Sequence, residues 1–425
     1  MTVFIFISSL LAAMALGMPI AFALMVCGVA LMWQVGIFDA QVLAQNLVDG
    51  ADSYPLLAVP FFLLAGELMN AGGLSRRIVD ALLSLVGHVR GGLGYVAVIA
   101  ALVLASLSGS AIADTAALAA LLIPMMRDAG YNVPRSAGLL AASGCIAPVI
   151  PPSIGLVLFG AVAGVSVSKL FIAGIIPGLA MAASLMFAWW WLCRKDAPPV
   201  RPRESRANVF ASVRQAGWAM ILPLIIIVGV KFGVFTPTEA GVVAVVAAVL
   251  VGRFAYGELT FAKLYHSMIT AAKTSAVVMF LVAAALISAW LITVANIPDQ
   301  LIELLSPFID RPVMLMVLMQ LIVLVVGTAL DFTPTILILT PVLMPLVKQA
   351  HIDPVYFGVL FVMNNAIGLL TPPVGNVLNV VCSVGKVPMD GIIRGVLPFL
   401  YAETIVLLLM SVFPHLMLAP LRWIH

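Results

Sequence analysis

Twelve stretches of this chain are apolar for about as long as a bilayer-spanning helix requires, and this constrains the fold more than any single motif. A span needs about 20 apolar residues. Such runs lie near 3–33, 54–71, 93–126, 136–164, 170–193, 217–234, 239–252, 274–295, 313–330, 332–347, 355–382 and 396–419. Of 425 residues, 63% are hydrophobic and 9% charged, whereas a soluble domain carries about 25% charged residues. The chain cannot cover a globular surface with polar groups, so it must face lipid. The first run is too long for a signal-peptide core and lacks a small-residue cleavage site, so it reads as a retained span. The expected class is an all-α polytopic membrane protein in which some runs are hairpins that enter and return.

Two of those runs contain a helix breaker at membrane depth. Residues 147–155 read APVIPPSIG and residues 368–379 read GLLTPPVGNVLN. Proline lacks a backbone donor and stops a helix, and bare backbone at that depth is tolerable only where it lines a cavity. The breaks are related. A shift of 221 residues superimposes Pro124 on Pro345, Pro151 on Pro372, Pro152 on Pro373, Gly164 on Gly385, Gly174 on Gly395 and Pro177 on Pro398. Composition alone would give about 0.6 such coincidences in this window at one offset. Pro134 and Pro354 miss by one, so the register drifts. The chain therefore divides into a first repeat, 1–193, with its break at 147–155, and a second, 216–425, with its break at 368–379. Between them lies a basic linker, 194–215, which the excess of Arg and Lys places in the cytoplasm. The repeat fits either an inverted or a parallel arrangement; inversion requires an odd number of crossings per half. Interrupted helices in corresponding positions of two halves are the sequence mark of a secondary transporter's binding site.

Upstream of each break an apolar run carries polar residues. The first cluster, 105–117, holds Ser106, Ser108, Ser110, Asp114 and Thr115; the second, 326–341, holds Thr328, Asp331, Thr333, Thr335 and Thr340. Hydroxyls, carboxylates and freed carbonyls are hard oxygen donors suited to a cation such as Na⁺. Ser and Thr also join helices by hydrogen bonds, which is the competing reading. Intramembrane acids are costly and mark function, so Asp114 and Asp331 stand out. Glu67 lies near a helix end, and Glu239 fits a helix cap after TPT. Asn364, Asn365, Asn376 and Asn379 can bind a carboxylate or a cation, or join helices.

Catalysis finds little support. The five histidines show no H-E-x-x-H spacing, and GGLGY at 91–95 lacks the strand–helix context of a dinucleotide site, reading instead as a tight turn. Cys27, Cys145, Cys193 and Cys382 lack metal-ligand spacing and read as core residues. A formal charge of +3 implies no nucleic-acid partner. An ion channel pore is the alternative from another class, although channels usually build their filters from symmetric oligomers. A proton-coupled carrier is kept open by Asp114 and Asp331.

Several of these motifs occur together and in order. PFFLLAGELMNAGGLSRRIVD, SLSGSAIADTAALAALLIPMM, APVIPPSIG, KLFIAGIIPG, GVFTPTEAG and LLTPPVGNVLNV resemble the large membrane subunit, DctM type, of tripartite ATP-independent periplasmic (TRAP) transporters over nearly the whole chain. That resemblance implies two inverted repeats with re-entrant hairpins in the elevator-type ion transporter architecture of the bacterial inner membrane. It implies Na⁺-coupled import of a small carboxylate such as a C4-dicarboxylate, a sialic acid or a sugar acid, with no other cofactor. A periplasmic binding protein would deliver the substrate. A small four-helix membrane subunit, expected here as a separate chain, would brace the scaffold. Carried onto this sequence, one Na⁺ site would use Ser106, Ser108, Ser110, Asp114 and backbone near Gly144 and Pro151. The other would use Asp331, Thr333, Thr335 and backbone near Thr371, Pro372 and Gly375. Substrate would lie between the breaks, near Ser153, Asn364 and Asn376.

Overall fold

The computed structural model describes residues 2–196, 200, 202–309, 311–372 and 375–423. The described residues are helices and their connections, with no strand among them. The first half runs α1 (Thr2–Ala15), α2 (Ile20–Val35), α3 (Ala40–Ala51), α4 (Ala58–Ala71), α5 (Leu74–Val86), α6 (Gly92–Ser108), α7 (Ala111–Asp128), α8 (Val133–Gly144), α9 (Ile154–Ala163) and α10 (Val167–Asp196). The second runs α11 (Arg206–Lys231), α12 (Pro237–Leu250), α13 (Phe261–Val294), α14 (Ile297–Ile309), α15 (Pro312–Ala329), α16 (Phe332–Gln349), α17 (Pro354–Gly368), α18 (Asn376–Gly385), α19 (Met389–Val412) and α20 (Pro414–Leu418).

Seven helical stretches among the described residues are long and apolar enough to cross a membrane singly. Of the other expected runs, 313–330 is the single shorter helix α15 and the rest divide into shorter helices. The run 3–33 is two packed helices, α1 and α2, turned at Gly17 and Pro19. The run 93–126 breaks at Gly109, whose φ of 61° puts it in the left-handed region glycine tolerates. Helix α10 continues to Asp196 and α11 begins at Arg206, so the interval between helices is shorter than 194–215. The amphipathic helices α3 and α5 fall outside every apolar run. Where apolar sequence alone would continue a helix, local chemistry starts a new one. Asn132 accepts from Arg135 N to open α8, Asp353 from Val355 N and Tyr356 N to open α17, and Thr236 and Glu239 form a reciprocal capping box on α12.

Moved by 221 residues, α6–α9 fall on α15–α18 with ends that differ by at most three residues. The packing repeats too: α7 lies on α18, and its counterpart α16 lies on α9. The copies run in opposite senses. Pro134, at the start of α8, packs on Gly391 and Gly395 at the start of α19. Tyr356, at the start of α17, donates its hydroxyl to Ser411 O at 2.7 Å, at the far end of α19. So α8 and α17 are antiparallel. Helices α6–α10 and α15–α19 form a double bundle. Helices α1–α5 and α11–α13 pack chiefly on one another beside it, α4 against α12 and α13, α5 against α11.

Candidate functional site

Both breaks are present as interruptions within apolar sequence. Helix α8 stops at Gly144 and α9 restarts at Ile154; between them lie turns and a cis Pro151–Pro152 peptide. Helix α17 stops at Gly368 and α18 restarts at Asn376; Pro373 lies outside the described residues. Each half also has a hairpin whose tip meets its own break. Gly109, between α6 and α7, approaches so closely that a methyl group there would stand 2.8 Å from Pro152 O and 3.0 Å from Ile154 N. Asp331, between α15 and α16, accepts from Asn376 Nδ2 at 3.0 Å. The halves are then joined, because the ring of Phe332 fills the space beside Gly155. These contacts gather the N-termini of α7, α9, α16 and α18 in one region of the double bundle. Helix N-termini present free N–H groups and partial positive charge, so the region suits an anionic ligand.

The two hairpin tips differ in detail. Ser110 caps α7, accepting from Ala113 N, and its own N–H donates to Ser108 Oγ at 3.1 Å. Ser108 donates to Asp114 Oδ1 at 2.6 Å, which holds the carboxylate in the first turn of α7, where the helix end favours negative charge. Asp114 is 3% exposed. Its Oδ2 has no hydrogen-bond partner among the described residues, and neither has the adjacent Thr115 Oγ1. Gly144 closes on that hydroxyl: a methyl group on it would fall 1.7 Å from Thr115 Oγ1. In the second half Asp331 caps α16, accepting from Phe332 N at 2.8 Å, and Thr335 donates to Asp331 O at 2.9 Å. Asn365 donates to Phe332 O at 2.8 Å while its Oδ1 is unpartnered; Gly327 backs that oxygen.

Buried oxygens without donors are costly, and a hard monovalent cation would satisfy them. Asp114 Oδ2 and Thr115 Oγ1 in one half, and Asn365 Oδ1 beside the Asp331 tip in the other, are therefore the oxygens best suited to hold Na⁺. Two of these three residues lie outside the sets assigned from sequence. Thr115 follows Asp114 directly, and Asn365 stands 221 residues after Gly144, so both carried a signal. Glu403 is also fully buried, with both carboxylate oxygens unpartnered among the described residues; its mark was a lone acid inside the apolar run 396–419.

Other assigned residues are differently placed. Ser106 donates to Val103 O at 2.6 Å and lines, with Pro151, an apolar cavity of about 260 Å³ against Ile175 of α10 and Pro223 of α11. Thr333 and Pro372 are partly buried. Thr371 donates to Ile367 O at 3.1 Å, and Gly375 holds a left-handed turn before α18. Of the three residues assigned to substrate, Ser153 caps α9 and turns its hydroxyl onto Pro148 O. Asn364 donates to Gln320 O at 2.5 Å, joining α17 to α15. Asn376 is partly exposed and faces Asp331. No hydrogen bond joins any two of these three. No disulfide joins the four cysteines among the described residues.

Ser108→Ala removes the hydrogen bond that holds Asp114 and leaves a buried carboxylate with both oxygens unpaired. The detergent-purified protein should lose about 1–3 kcal/mol of stability, read as a lower thermal midpoint that added Na⁺, but not K⁺, partly restores.

The family model described as the tripartite ATP-independent periplasmic transporter, DctM component, matches residues 7–416. A 2,3-diketo-L-gulonate TRAP transporter large permease protein of Escherichia coli is 54% identical over 425 residues, covering 100% of both chains. A sialic acid TRAP transporter large permease protein of Vibrio cholerae is 39% identical over 94% of this chain and 93% of its own. A C4-dicarboxylate TRAP transporter large permease protein of Pseudomonas aeruginosa is 36% identical over 90% of each. Among solved structures, the YdaH transporter of Alcanivorax borkumensis matches with a TM-score of 0.63 at 15% identity, over 89% of this chain and 90% of that one. That last likeness concerns the fold alone.

Proposed function

The chain belongs to the DctM component of the tripartite ATP-independent periplasmic transporters, and we propose that it imports a small sugar acid or related carboxylate by Na⁺-coupled symport. It is a polytopic transport subunit of the bacterial inner membrane, not an enzyme. The observation that carries the proposal is the meeting of four helix N-termini beside buried oxygens that lack partners. The first feature favours a carboxylate and the second a cation.

In this reading Asp114, Thr115 and Ser108 hold one Na⁺, and Asp331 and Asn365 frame the second. Substrate binds between the breaks, with Asn376 the assigned residue whose amide is partly exposed. The double bundle α6–α10 and α15–α19 is the moving body of an elevator, and the helices packed beside it are the scaffold. A separate small membrane subunit braces that scaffold, and a periplasmic binding protein delivers the substrate. The extent of the likeness to the Escherichia coli protein makes 2,3-diketo-L-gulonate the first substrate to try.

The test is uptake into proteoliposomes that contain both membrane subunits, with the binding protein outside. Uptake should saturate, require an inward Na⁺ gradient and stop when the binding protein is omitted. Equal uptake with choline in place of Na⁺ would remove the coupling assignment. Uptake driven instead by a proton gradient would favour the proton-coupled variant.

A further inference from the structure

A groove on the double bundle is lined by no residue of either break. Helices α10 and α19 leave between them a groove of about 740 Å³, lined by Phe187 and Trp191 on one side and Arg394, Leu397, Tyr401 and Leu409 on the other. These α19 residues recur at helical spacing and form one continuous stripe. Tyr401 is 64% and Phe187 66% exposed, so the groove opens outward toward lipid.

The groove has a polar end and an apolar end. Arg394 is exposed and makes no hydrogen bond or ion pair with any described residue, although Asp390 stands one turn earlier. The start of α19 lies at the same end of the bundle as the finish of α10: Pro134 packs on Gly395, and Tyr131, just before Pro134, stacks on Trp189 near the end of α10. At that end Arg194 sits 3.7 Å over the Trp190 ring, and Arg90 donates to Arg194 O. The basic interval after α10 leaves from here, so this is the cytoplasmic end by the positive-inside rule. From Arg394 to Leu409 the helix rises about 22 Å, more than one leaflet's ~15 Å of hydrocarbon.

We propose that this groove binds one anionic phospholipid of the cytoplasmic leaflet, with its phosphate on Arg394 and an acyl chain along Leu397, Tyr401 and Leu409. An unpaired guanidinium at headgroup level selects negative charge. The aromatic and aliphatic walls give a chain a fixed, concave bed that open bilayer does not.

The test is native mass spectrometry of the detergent-purified complex of both membrane subunits, titrated with dioleoyl phosphatidylglycerol or dioleoyl phosphatidylcholine. One phosphatidylglycerol should be retained in preference to phosphatidylcholine. Arg394→Gln should weaken its binding about fivefold, and Arg394→Lys should restore most of that loss. Ala402→Trp, which fills the groove without changing charge, should also displace the lipid. Equal retention of the two lipids, or wild-type phosphatidylglycerol binding by both Arg394→Gln and Ala402→Trp, would overturn the proposal. So would a photo-crosslinker at Tyr401 that captures the small membrane subunit instead of lipid.

Discussion

Asp331→Asn is expected to raise the Na⁺ concentration for half-maximal uptake by about ten- to a hundredfold while the protein stays folded. This substitution isolates charge from structure. Asp331 Oδ1 accepts from Phe332 N and from Asn376 Nδ2, and an asparagine oxygen can accept both. Asparagine is also about as good an N-cap as aspartate. The hairpin tip, and its link to the second break, should therefore survive. What disappears is the negative charge that would pair with a cation beside Asn365. Asp331→Ala removes the cap as well, so it should add about 1 kcal/mol of destabilisation to the same loss of Na⁺ affinity. Asn376→Ala makes the opposite separation, keeping the charge and removing the cross-link; it should affect substrate affinity more than Na⁺ activation. Uptake would be measured against Na⁺ at constant ionic strength, with choline as the replacement. Wild-type Na⁺ activation in Asp331→Asn would reduce Asp331 to a helix cap.

The parts of this arrangement legible in the sequence are those written in backbone chemistry. Pro151 and Pro152 cannot continue a helix in any environment, so the gap between α8 and α9 was predictable, as was the gap holding Pro372. The polar clusters before each break were legible as ion ligands but not as hairpin tips, because Ser110 and Asp331 are residue types that cap helices as well as bind ions. Side-chain direction was not legible. Ser153 and Asn364 have the chemistry to hold a carboxylate, yet one hydroxyl turns back onto Pro148 O and one amide reaches across to Gln320 O. Both groups meet local needs that residue type does not reveal. Helices α3 and α5 were missed for a different reason. Apolar residues such as Leu43 and Leu47 of α3 and Ile78 and Val79 of α5 pack on the core while polar residues such as Arg76 and Asp80 lie exposed, so no apolar run of spanning length exists to find. Conversely, 3–33 is apolar throughout, and only Gly17 and Pro19 show that it folds back on itself.

Gly395→Ala should cost more stability than Asp331→Ala at the hairpin tip, because its neighbour is backbone and cannot rotate away. A methyl group on Gly395 would stand 2.1 Å from Pro134 O and 2.5 Å from Pro134 C. Across the same crossing, a methyl group on Gly138 would stand 2.5 Å from Gly395 C. The two glycines let α8 and α19 touch main chain to main chain, as small residues do in membrane helix pairs. Relieving either clash means separating the helices, and α8 leads directly into the first break. Overpacking of this kind costs about 1–3 kcal/mol where side chains can yield and more where they cannot, so a loss above about 3 kcal/mol is expected here. Gly138→Ala alone should produce a similar loss. The double substitution should cost less than the sum, since one separation accommodates both methyl groups. Gly217→Ala is the internal control: it lies within α11 with nothing closer than 4 Å to the added methyl, and should leave stability unchanged or slightly raised. Thermal midpoints of the detergent-purified variants, compared at equal Na⁺, measure all four. If Gly395→Ala matched Gly217→Ala, the close crossing of α8 and α19, and the position of the first break that depends on it, would have to be abandoned.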